Sequence, residues 1–196
     1  MKQVFFIFLF FSLTFSFGQK KSKIDSLVIE SLSRAKDTLK VFRTKKVLGN
    51  NFGFYKERFE FVPSINPLNP KKLKRISSKF GKRFHPIQKK IKAHLGLDIS
   101  SKKGTAIHVS ATGTVLKVIS SNTGYGNQVI IQHKYGFVTR YAHMHSFIIA
   151  EGDTVKKGKI IGFVGNTGDS TAPHLHYEIL KYNKAIDPYP FCFLNL

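Results

Sequence analysis

Residues 127–144 read NQVIIQHKYGFVTRYAHM, and this stretch decides the fold class. Its two halves, NQVIIQH and FVTRYAHM, are rich in β-branched and aromatic residues, which favour extended strands. Between them, KYG at 134–136 is a short turn that ends in glycine, as tight hairpin turns commonly do. The stretch therefore predicts two antiparallel strands joined by a tight turn.

The same alternation of strand-like runs and polar turns continues from about residue 75 onward. The other strand-like runs are AIHVSATGTVLKVIS at 106–120, KIIGFVG at 159–165 and HLHYEIL at 174–180. The turns between the runs are rich in Gly, Asn and Asp, and helical periodicity is almost absent after residue 100. We therefore predict an all-β domain over residues 61–196, mostly antiparallel and built as a barrel- or sandwich-like sheet.

Residues 19–60 have a different composition from the β domain. Near the start of this segment, apolar residues recur at close to helical spacing, at Ile24, Leu27, Val28 and Leu32. Three prolines then follow among aromatic residues, at Pro63, Pro67 and Pro70, and predict an extended linker. We predict a short helical and linker segment over residues 19–60, which would serve as a partner-binding helix, a flap over a groove or a spacer.

Residues 1–18 combine one lysine with an apolar run that ends in the small-x-small sequence Ser16-Phe17-Gly18. This pattern predicts a secretory signal peptide cleaved near Gly18, and an uncleaved anchor helix is the alternative. We therefore expect an exported protein of the periplasm, the cell envelope or the extracellular space. The single cysteine, Cys192, cannot form an internal disulfide, so the fold must rely on its core or on a metal.

The chain is strongly basic, with 32 Lys and Arg residues against 11 Asp and Glu residues and a net charge of +21 over 196 residues. Such a charge favours polyanionic partners, and for an exported protein we expect an anionic envelope surface. A purely solubilising surface is the alternative. We expect a monomer. We also expect no nucleic-acid partner, because the aromatic residues of the β domain are placed as structural residues rather than as exposed stacking platforms.

Carboxylates are scarce in the β domain, so those that lie near histidines are informative. In HLGLD, His94 and Asp98 are four residues apart, and on one strand they would project to the same face, with Gly96 leaving space between them. In HLH, His174 and His176 share a strand face at a spacing of about 6–7 Å, which is wide for two ligands of one ion. His94, Asp98 and one of this pair would form a His₂Asp site.

A His₂Asp site has three protein ligands and leaves one position for water, which is typical of catalytic rather than structural zinc sites. Imidazole and carboxylate without thiolate suit Zn²⁺. Either motif alone is more often a pair of ordinary strand residues than a metal site. Together, in an exported β domain with few acids, the two motifs predict a zinc centre.

Beyond these two motifs, a series of segments occurs in an order that resembles a known family. They are ISSKFGKRFHPI at 76–87, HLGLDIS at 94–100, GTVLKV at 113–118, YGNQVIIQH at 125–133, RYAHM at 140–144, VKKGKIIGFVGNTGDSTAPHLHYEI at 155–179 and the DP at 187–188. The sequence resembles the lysostaphin-type (LytM-type) zinc metalloendopeptidases, which hydrolyse peptide bonds in bacterial peptidoglycan. The resemblance covers roughly residues 76–190 and implies a zinc-dependent endopeptidase that acts on peptidoglycan stem peptides or cross-bridges.

The resemblance implies a role for each of five residues. His94, Asp98 and His176 match the family's zinc ligands, whereas His143 and His174 match its two catalytic histidines that do not bind zinc. The implied mechanism is attack by a zinc-activated water with assistance from the two histidines. The alternative is a non-catalytic module of the same fold that binds the wall or regulates an amidase, and the presence of all five residues argues against it.

Further positions near these five residues have two interpretations each. Glu178 lies two residues from His176 on the same strand face, where it would orient a ligand imidazole or serve as an ordinary surface carboxylate. Arg140 would contact substrate or pack within its strand. Ala172 replaces the glycine of the family's STGPHLH, which would strain the backbone only if that position needs a positive φ.

The remaining histidines are not assigned to the chemistry. We expect His85, in RFHPI, to shape the groove, and we expect His108, His133 and His145 to serve packing or the surface.

Overall fold

The structure is a computed structural model that describes residues 25–34, 41, 44, 46–71, 73–84 and 91–193. The strands within these residues are β1 (Leu73–Ser78), β2 (Gly81–Phe84), β3 (Ile91–His94), β4 (Leu97–Ser101), β5 (Ala106–His108), β6 (Gly113–Ile119), β7 (Asn127–His133), β8 (Phe137–Phe147), β9 (Thr154–Val155), β10 (Ile160–Val164), β11 (His174–Lys181) and β12 (Lys184–Ile186). Helical structure is found at 25–33, at 41, 44 and 46–48, at Phe52–Phe59, and in the short 3₁₀ turns Gly49–Asn51, Lys134–Gly136 and Phe191–Phe193. The predicted signal peptide, Ile24 and His85 lie outside the described residues.

Ten of the strands form one sheet, whose main path runs β1-β4-β11-β8-β7-β6-β9, with β10 beside β8 and β5, and β12 beside β11. The remaining two strands, β2 and β3, form a separate two-stranded ribbon. Neighbouring strands pair antiparallel throughout both sheets. The prediction of a mostly antiparallel all-β fold is therefore confirmed. Among the described residues, no helix has the length and apolar character needed to cross a membrane.

The hairpin predicted at 127–144 is present as β7 and β8. Its strands pair in register, with Ile131 opposite Thr139. Tyr135 and Gly136 both have positive φ, 61° and 74°, which lets the turn match the twist of the two strands. Gly136 is required for a second reason, because a Cβ there would lie 2.2 Å from the Tyr182 ring.

The central strand β11 has two chemically different faces. One face is apolar and buried, and carries Leu175, Tyr177 and Ile179. The other face, which we call the histidine face of β11, carries His174, His176 and Glu178, because successive side chains of a strand point to opposite sides. The core therefore fixes the strand that presents the three polar side chains.

The described N-terminal residues pack onto the far end of β11. Val28 and Leu32 are buried in the main core, and the carbonyl of Leu32 accepts a hydrogen bond of 3.0 Å from Lys181 Nζ. The Lys181 ammonium also lies 3.9 Å from the centre of the Phe137 ring, a cation–π contact. Burial lowers the pKa of Lys181 to about 8. Residues 25–33 therefore join the core of the β domain at the end of β11 opposite to His174.

His133 is a buried histidine that serves packing. Its Nδ1 donates to the carbonyl of Thr112 (3.0 Å), and its Nε2 lies 2.8 Å from Thr139 Oγ1. Burial lowers the pKa of His133 to about 4, from an ordinary value near 6.5. Between these two pH values the unfolded chain binds a proton at this position and the folded protein does not, so acidification favours unfolding.

We predict that His133→Asn, which keeps a donor for the Thr112 carbonyl but cannot be protonated, weakens the loss of stability in acid. The native protein should lose about 2 kcal/mol of unfolding free energy through His133 between pH 7 and pH 5. Urea denaturation of both proteins at the two pH values measures the difference. An identical pH dependence for both proteins would show that His133 titrates normally.

Candidate metal centre

Three strands bring His94, Asp98 and His176 together. Asp98 lies on β4 and His176 on β11, and the two residues are direct neighbours across the antiparallel pair. Side chains in such a pair share one face of the sheet at short range. His94 is the last residue of β3, in the separate ribbon, and reaches the same point from the side.

The three side chains converge on one point through a single atom each. Asp98 Oδ1 lies 3.0 Å from His94 Nε2 and 2.8 Å from His176 Nδ1, and the two nitrogens are 3.1 Å apart. All three residues are buried, with relative exposures of 6–7%. Their ligand atoms all lie within 4.8 Å of one another, so one ion can contact all three.

Outer hydrogen bonds set the tautomers of the two histidines. His94 Nδ1 lies 2.8 Å from the carbonyl of Lys79, which can only accept, so the proton sits on Nδ1 and the lone pair on Nε2. His176 Nε2 lies 3.0 Å from Glu178 Oε1, so its lone pair sits on Nδ1. Two imidazole lone pairs and a carboxylate oxygen therefore face one another, an arrangement that a bound cation stabilises.

The electrostatics of the site also favour positive charge. Burial lowers the pKa of His176, but hydrogen bonds to Asp98 and Glu178 outweigh burial and leave this pKa raised, because a proton on Nδ1 satisfies Asp98 just as a metal cation at the lone pair of the neutral ring would. Burial raises the pKa of Asp98, but hydrogen bonds to His176 and His94 outweigh it and leave the Asp98 pKa below its ordinary value. Two imidazoles and one carboxylate, without thiolate, suit Zn²⁺, and three protein ligands leave a position for water or substrate.

The prediction that HLGLD forms one strand is wrong. β3 ends at His94 and β4 begins at Leu97, and the two strands belong to different sheets. The extended strand is interrupted at Gly96. A Cβ there would lie 2.6 Å from the carbonyl oxygen of Tyr177 and 2.8 Å from His176 Nε2. Glycine lets β11 approach this closely, so His94 and Asp98 meet by tertiary packing rather than by strand periodicity.

His143 and His174 lie beside the three ligand candidates. Their ring centres are 4.8 Å apart, and the His143 ring centre is 5.8 Å from that of His176. Each Nδ1 lies 2.8 Å from a backbone carbonyl, that of Thr167 for His143 and that of Ala172 for His174. Both protons therefore sit on Nδ1. The Nε2 of His174 faces the centre at 3.7 Å from Asp98 Oδ1.

His143 has two features that are unusual for a strand residue. Its φ is +56°, a left-handed conformation that costs a non-glycine residue about 1–3 kcal/mol. Burial, with a smaller contribution from the His174 ring, lowers the pKa of His143 to about 4, so the ring is neutral at pH 7. The left-handed backbone interrupts the regular alternation of side chains along β8. The interruption occurs at the residue whose buried, neutral ring lies beside His174.

Glu178 is the centre of a polar cluster behind His176. One of its oxygens accepts from His176 Nε2 and from the Tyr125 hydroxyl (2.6 Å), and the other accepts from Arg140 at 2.9 Å. The Arg140 guanidinium also stacks 4.4 Å from the centre of the Tyr125 ring. Glu178 therefore fixes the orientation of the His176 imidazole, and Arg140 in turn holds Glu178. Tyr125 was missed by sequence reasoning, because no spacing rule links residues 125 and 178.

An open cleft passes over the centre. His94, Asp98, His143, His174 and His176 all line it. Arg83 and Lys92 line it from the β2–β3 ribbon, and residues of two loops line it elsewhere, at Gly124, Tyr125, Asp169 and Thr171. Arg140 is absent from the lining, and none of the described residues before 73 contributes to it.

Comparison with known proteins is consistent with this geometry. Residues 92–188 match Peptidase family M23. The catalytic domain of lysostaphin from Staphylococcus simulans is 32% identical at a TM-score of 0.55, over 60% of this chain and 91% of that domain. The chain belongs to peptidase family M23.

Two further similarities are to proteins of Vibrio cholerae. A zinc-containing peptidase from Vibrio cholerae is 32% identical at a TM-score of 0.58, over 63% of this chain and 39% of that one. The peptidoglycan DD-endopeptidase ShyA of Vibrio cholerae is 40% identical over 115 residues, which is 58% of this chain and 26% of ShyA. The chain thus spans about a quarter of the length of that relative.

Three other positions singled out from the sequence, Ala172, His108 and His145, do not line the cleft over the M23 centre. Ala172 does not adopt a positive φ, so the alanine is not strained there. His108 bonds the carbonyl of Gly158 at 2.9 Å, and His145 is exposed on β8.

We predict that the protein binds one zinc ion and that His94→Ala abolishes tight binding. Zinc at a 100-fold excess over its dissociation constant should raise the thermal unfolding midpoint of the native protein by roughly 5–10 °C. Scanning fluorimetry with and without zinc measures the shift. His145→Ala, which removes an exposed imidazole, is the matched control and should keep the full shift. An equal shift in His94→Ala would place the metal elsewhere.

Proposed function

We propose that this M23 protein is a zinc metalloendopeptidase that hydrolyses peptide cross-links of bacterial peptidoglycan. The observation that carries the proposal is the combination of three convergent ligand atoms with two further imidazoles in one open cleft. A purely structural metal site would not need His143 and His174 beside it. The name of the relative ShyA, a peptidoglycan DD-endopeptidase, supports the choice of substrate.

The metal would be held by His94 Nε2, Asp98 Oδ1 and His176 Nδ1. A zinc ion bound there supplies a Lewis acid that lowers the pKa of water towards about 7 and polarises a carbonyl. The chain holds the two imidazoles ready for this ion by fixing each tautomer through an outer acceptor, Lys79 O for His94 and Glu178 for His176. Little reorganisation is then needed when the metal binds.

His143 and His174 would handle protons at Nε2. Each keeps its proton on Nδ1 through a bond to a carbonyl, which leaves Nε2 able to accept a proton from attacking water. Once protonated, the same nitrogen can donate to the leaving amine or to the negative oxygen that develops on the scissile carbonyl. Because the two rings lie 4.8 Å apart, both are within reach of one substrate group.

The test of this function is release of muropeptides from purified peptidoglycan by the purified full chain, measured by mass spectrometry. We predict that His174→Ala lowers the rate by about 10²–10⁴-fold, the usual contribution of a proton-transfer group. Zinc content should stay at one equivalent, because His174 is not among the three ligand candidates. His145→Ala is the control and should cleave at the native rate.

One outcome would contradict this function, and another would contradict the role of His174. Stoichiometric zinc without release of any muropeptide, from sacculi of several cross-link types, would favour the non-catalytic wall-binding or amidase-regulating module. Equal rates for the native protein and His174→Ala would leave hydrolysis in place and remove His174 from the chemistry.

We also propose that residues 1–18 direct export, so that the enzyme meets peptidoglycan in the periplasm or envelope. The intact mass of the protein recovered from an expressing bacterium should correspond to a chain that begins near Gln19. Phe8→Asp, which places a charge in the apolar run, should retain the full-length chain in the cytoplasm. A native protein that keeps Met1 and sediments with membranes would indicate an uncleaved anchor instead.

A further inference from the structure

The β2–β3 ribbon presents two positive charges to the cleft. Arg83 lies directly opposite Lys92 across the ribbon, and His94 lies opposite Gly81. Lys92 and His94 are two residues apart on β3 and share one face, and in an antiparallel pair Arg83 shares that face too. All three line the cleft. The face of the ribbon that delivers a metal ligand therefore also delivers an arginine and a lysine.

Fold stability does not explain this pairing. Like charges directly opposite each other in a sheet are destabilising. In the part of the chain that the structure describes, Lys92 is exposed and makes no ion pair, and Arg83 pairs only with Asp98, at 3.3 Å through one terminal nitrogen. An arginine has five donors, and its planar fork suits a carboxylate. Donors of Arg83 thus remain for a ligand in the cleft.

The position of Arg83 relates these charges to the scissile bond. Its guanidinium contacts Asp98 Oδ2, while Asp98 Oδ1 faces the metal centre. A single carboxyl group therefore separates Arg83 from the place where a substrate carbonyl would be polarised. A group bound by Arg83 must belong to one of the residues joined by the cleaved bond or to its immediate neighbour.

The acidic groups of the cleft do not neutralise the ribbon. Its lining contains two carboxylates, Asp98 and Asp169. Asp98 Oδ1 is taken up by the two imidazoles, and Asp169 Oδ1 accepts from the backbone N–H of Gly124, on a loop rather than on the ribbon. The ribbon side of the cleft stays positive, and a bound divalent cation would add to that charge.

We infer that Arg83 and Lys92 form a carboxylate-binding subsite, which selects cross-links with a free carboxylate beside the scissile amide. This inference rests on the proposed endopeptidase function and narrows its substrate. A cross-link made through the side-chain amine of a diamino dicarboxylic acid carries such a carboxylate, on the carbon that bears the amine, when that carboxyl group is not amidated. A glycine bridge carries none along its length, so the subsite disfavours it.

The test uses two synthetic cross-linked peptides, in which D-alanine acylates the side-chain amine of a diamino dicarboxylic acid. They differ only in that the neighbouring carboxyl group is free in one and a carboxamide in the other. The native protein should cleave the free acid with a kcat/KM about 10- to 100-fold higher, since hydrogen bonds to charged groups are worth that much. Lys92→Gln should reduce this ratio several-fold, and Arg83→Gln should bring it close to one.

Lys82→Gln is the matched control for charge. Lys82 is exposed on the same ribbon and lies opposite Ala93 rather than Lys92, so it points to the other face. The Lys82→Gln substitution removes one positive charge from the ribbon and should keep the native ratio of kcat/KM between the free acid and the carboxamide. Zinc content is measured for Arg83→Gln, because Arg83 also contacts Asp98. A free-acid preference that persists in Arg83→Gln counts against the subsite only if this variant holds one equivalent of zinc. Lys92→Gln tests the subsite independently of Asp98.

A binding measurement separates failure of the subsite from failure of the function. Isothermal titration of the zinc-loaded native chain uses free-acid and carboxamide peptides whose scissile amide is replaced by a methylene-amine, which cannot be hydrolysed. Tighter binding of the free acid, lost in Lys92→Gln, supports the subsite even if neither peptide is cleaved. Cleavage of both peptides at equal rates, with equal binding, would overturn the subsite and leave the endopeptidase function standing.

Discussion

Three acceptor atoms are held within about 3 Å of one another in a buried place, and the rest of the site depends on this constraint. Two imidazole lone pairs and a carboxylate oxygen repel each other unless a cation lies between them. The fold maintains the arrangement through outer partners that cannot easily be exchanged, a backbone carbonyl for His94 and the Glu178 carboxylate for His176. A metal bound there would thus belong to the electrostatic balance of the core as well as to the proposed chemistry.

The strand β11 links stability to this centre. Its apolar face contributes Leu175, Tyr177 and Ile179 to the core, and its opposite face holds a ligand candidate, a proton-transfer candidate and the carboxylate that bonds the ligand candidate. Any shift in the register of this strand by one residue would exchange the two faces and bury histidines in the core. The closely packed core therefore fixes the ligand geometry more firmly than a loop could.

The N-terminal segment and the cleft lie at opposite ends of β11. Lys181, at the last position of the strand, bonds the end of the helical stretch 25–33, whereas His174 begins the strand at the cleft. None of the described residues before 73 lines the cleft. The described N-terminal residues extend the core and cover the end of the sheet away from the chemistry.

The sequence alone determined the all-β class and the 134–136 turn, and it supplied the residue types of the candidate site. Strand propensity, turn glycines and the types of the polar residues are local properties that a short window contains. The motif resemblance also selected His176 rather than His174 as the ligand candidate. In the structure, His176 Nδ1 lies 2.8 Å from Asp98 Oδ1, whereas His174 Nε2 lies 3.7 Å from the same oxygen.

Only the tertiary structure decided how those residues meet. HLGLD looked like one strand, but it is split between two sheets at Gly96, because β11 packs too closely for a side chain there. The tautomers, the left-handed backbone of His143, the Tyr125–Arg140–Glu178 cluster and the charged pair Arg83–Lys92 all depend on contacts between residues far apart in the chain. Such contacts are set by packing and register, which no local pattern of residues encodes.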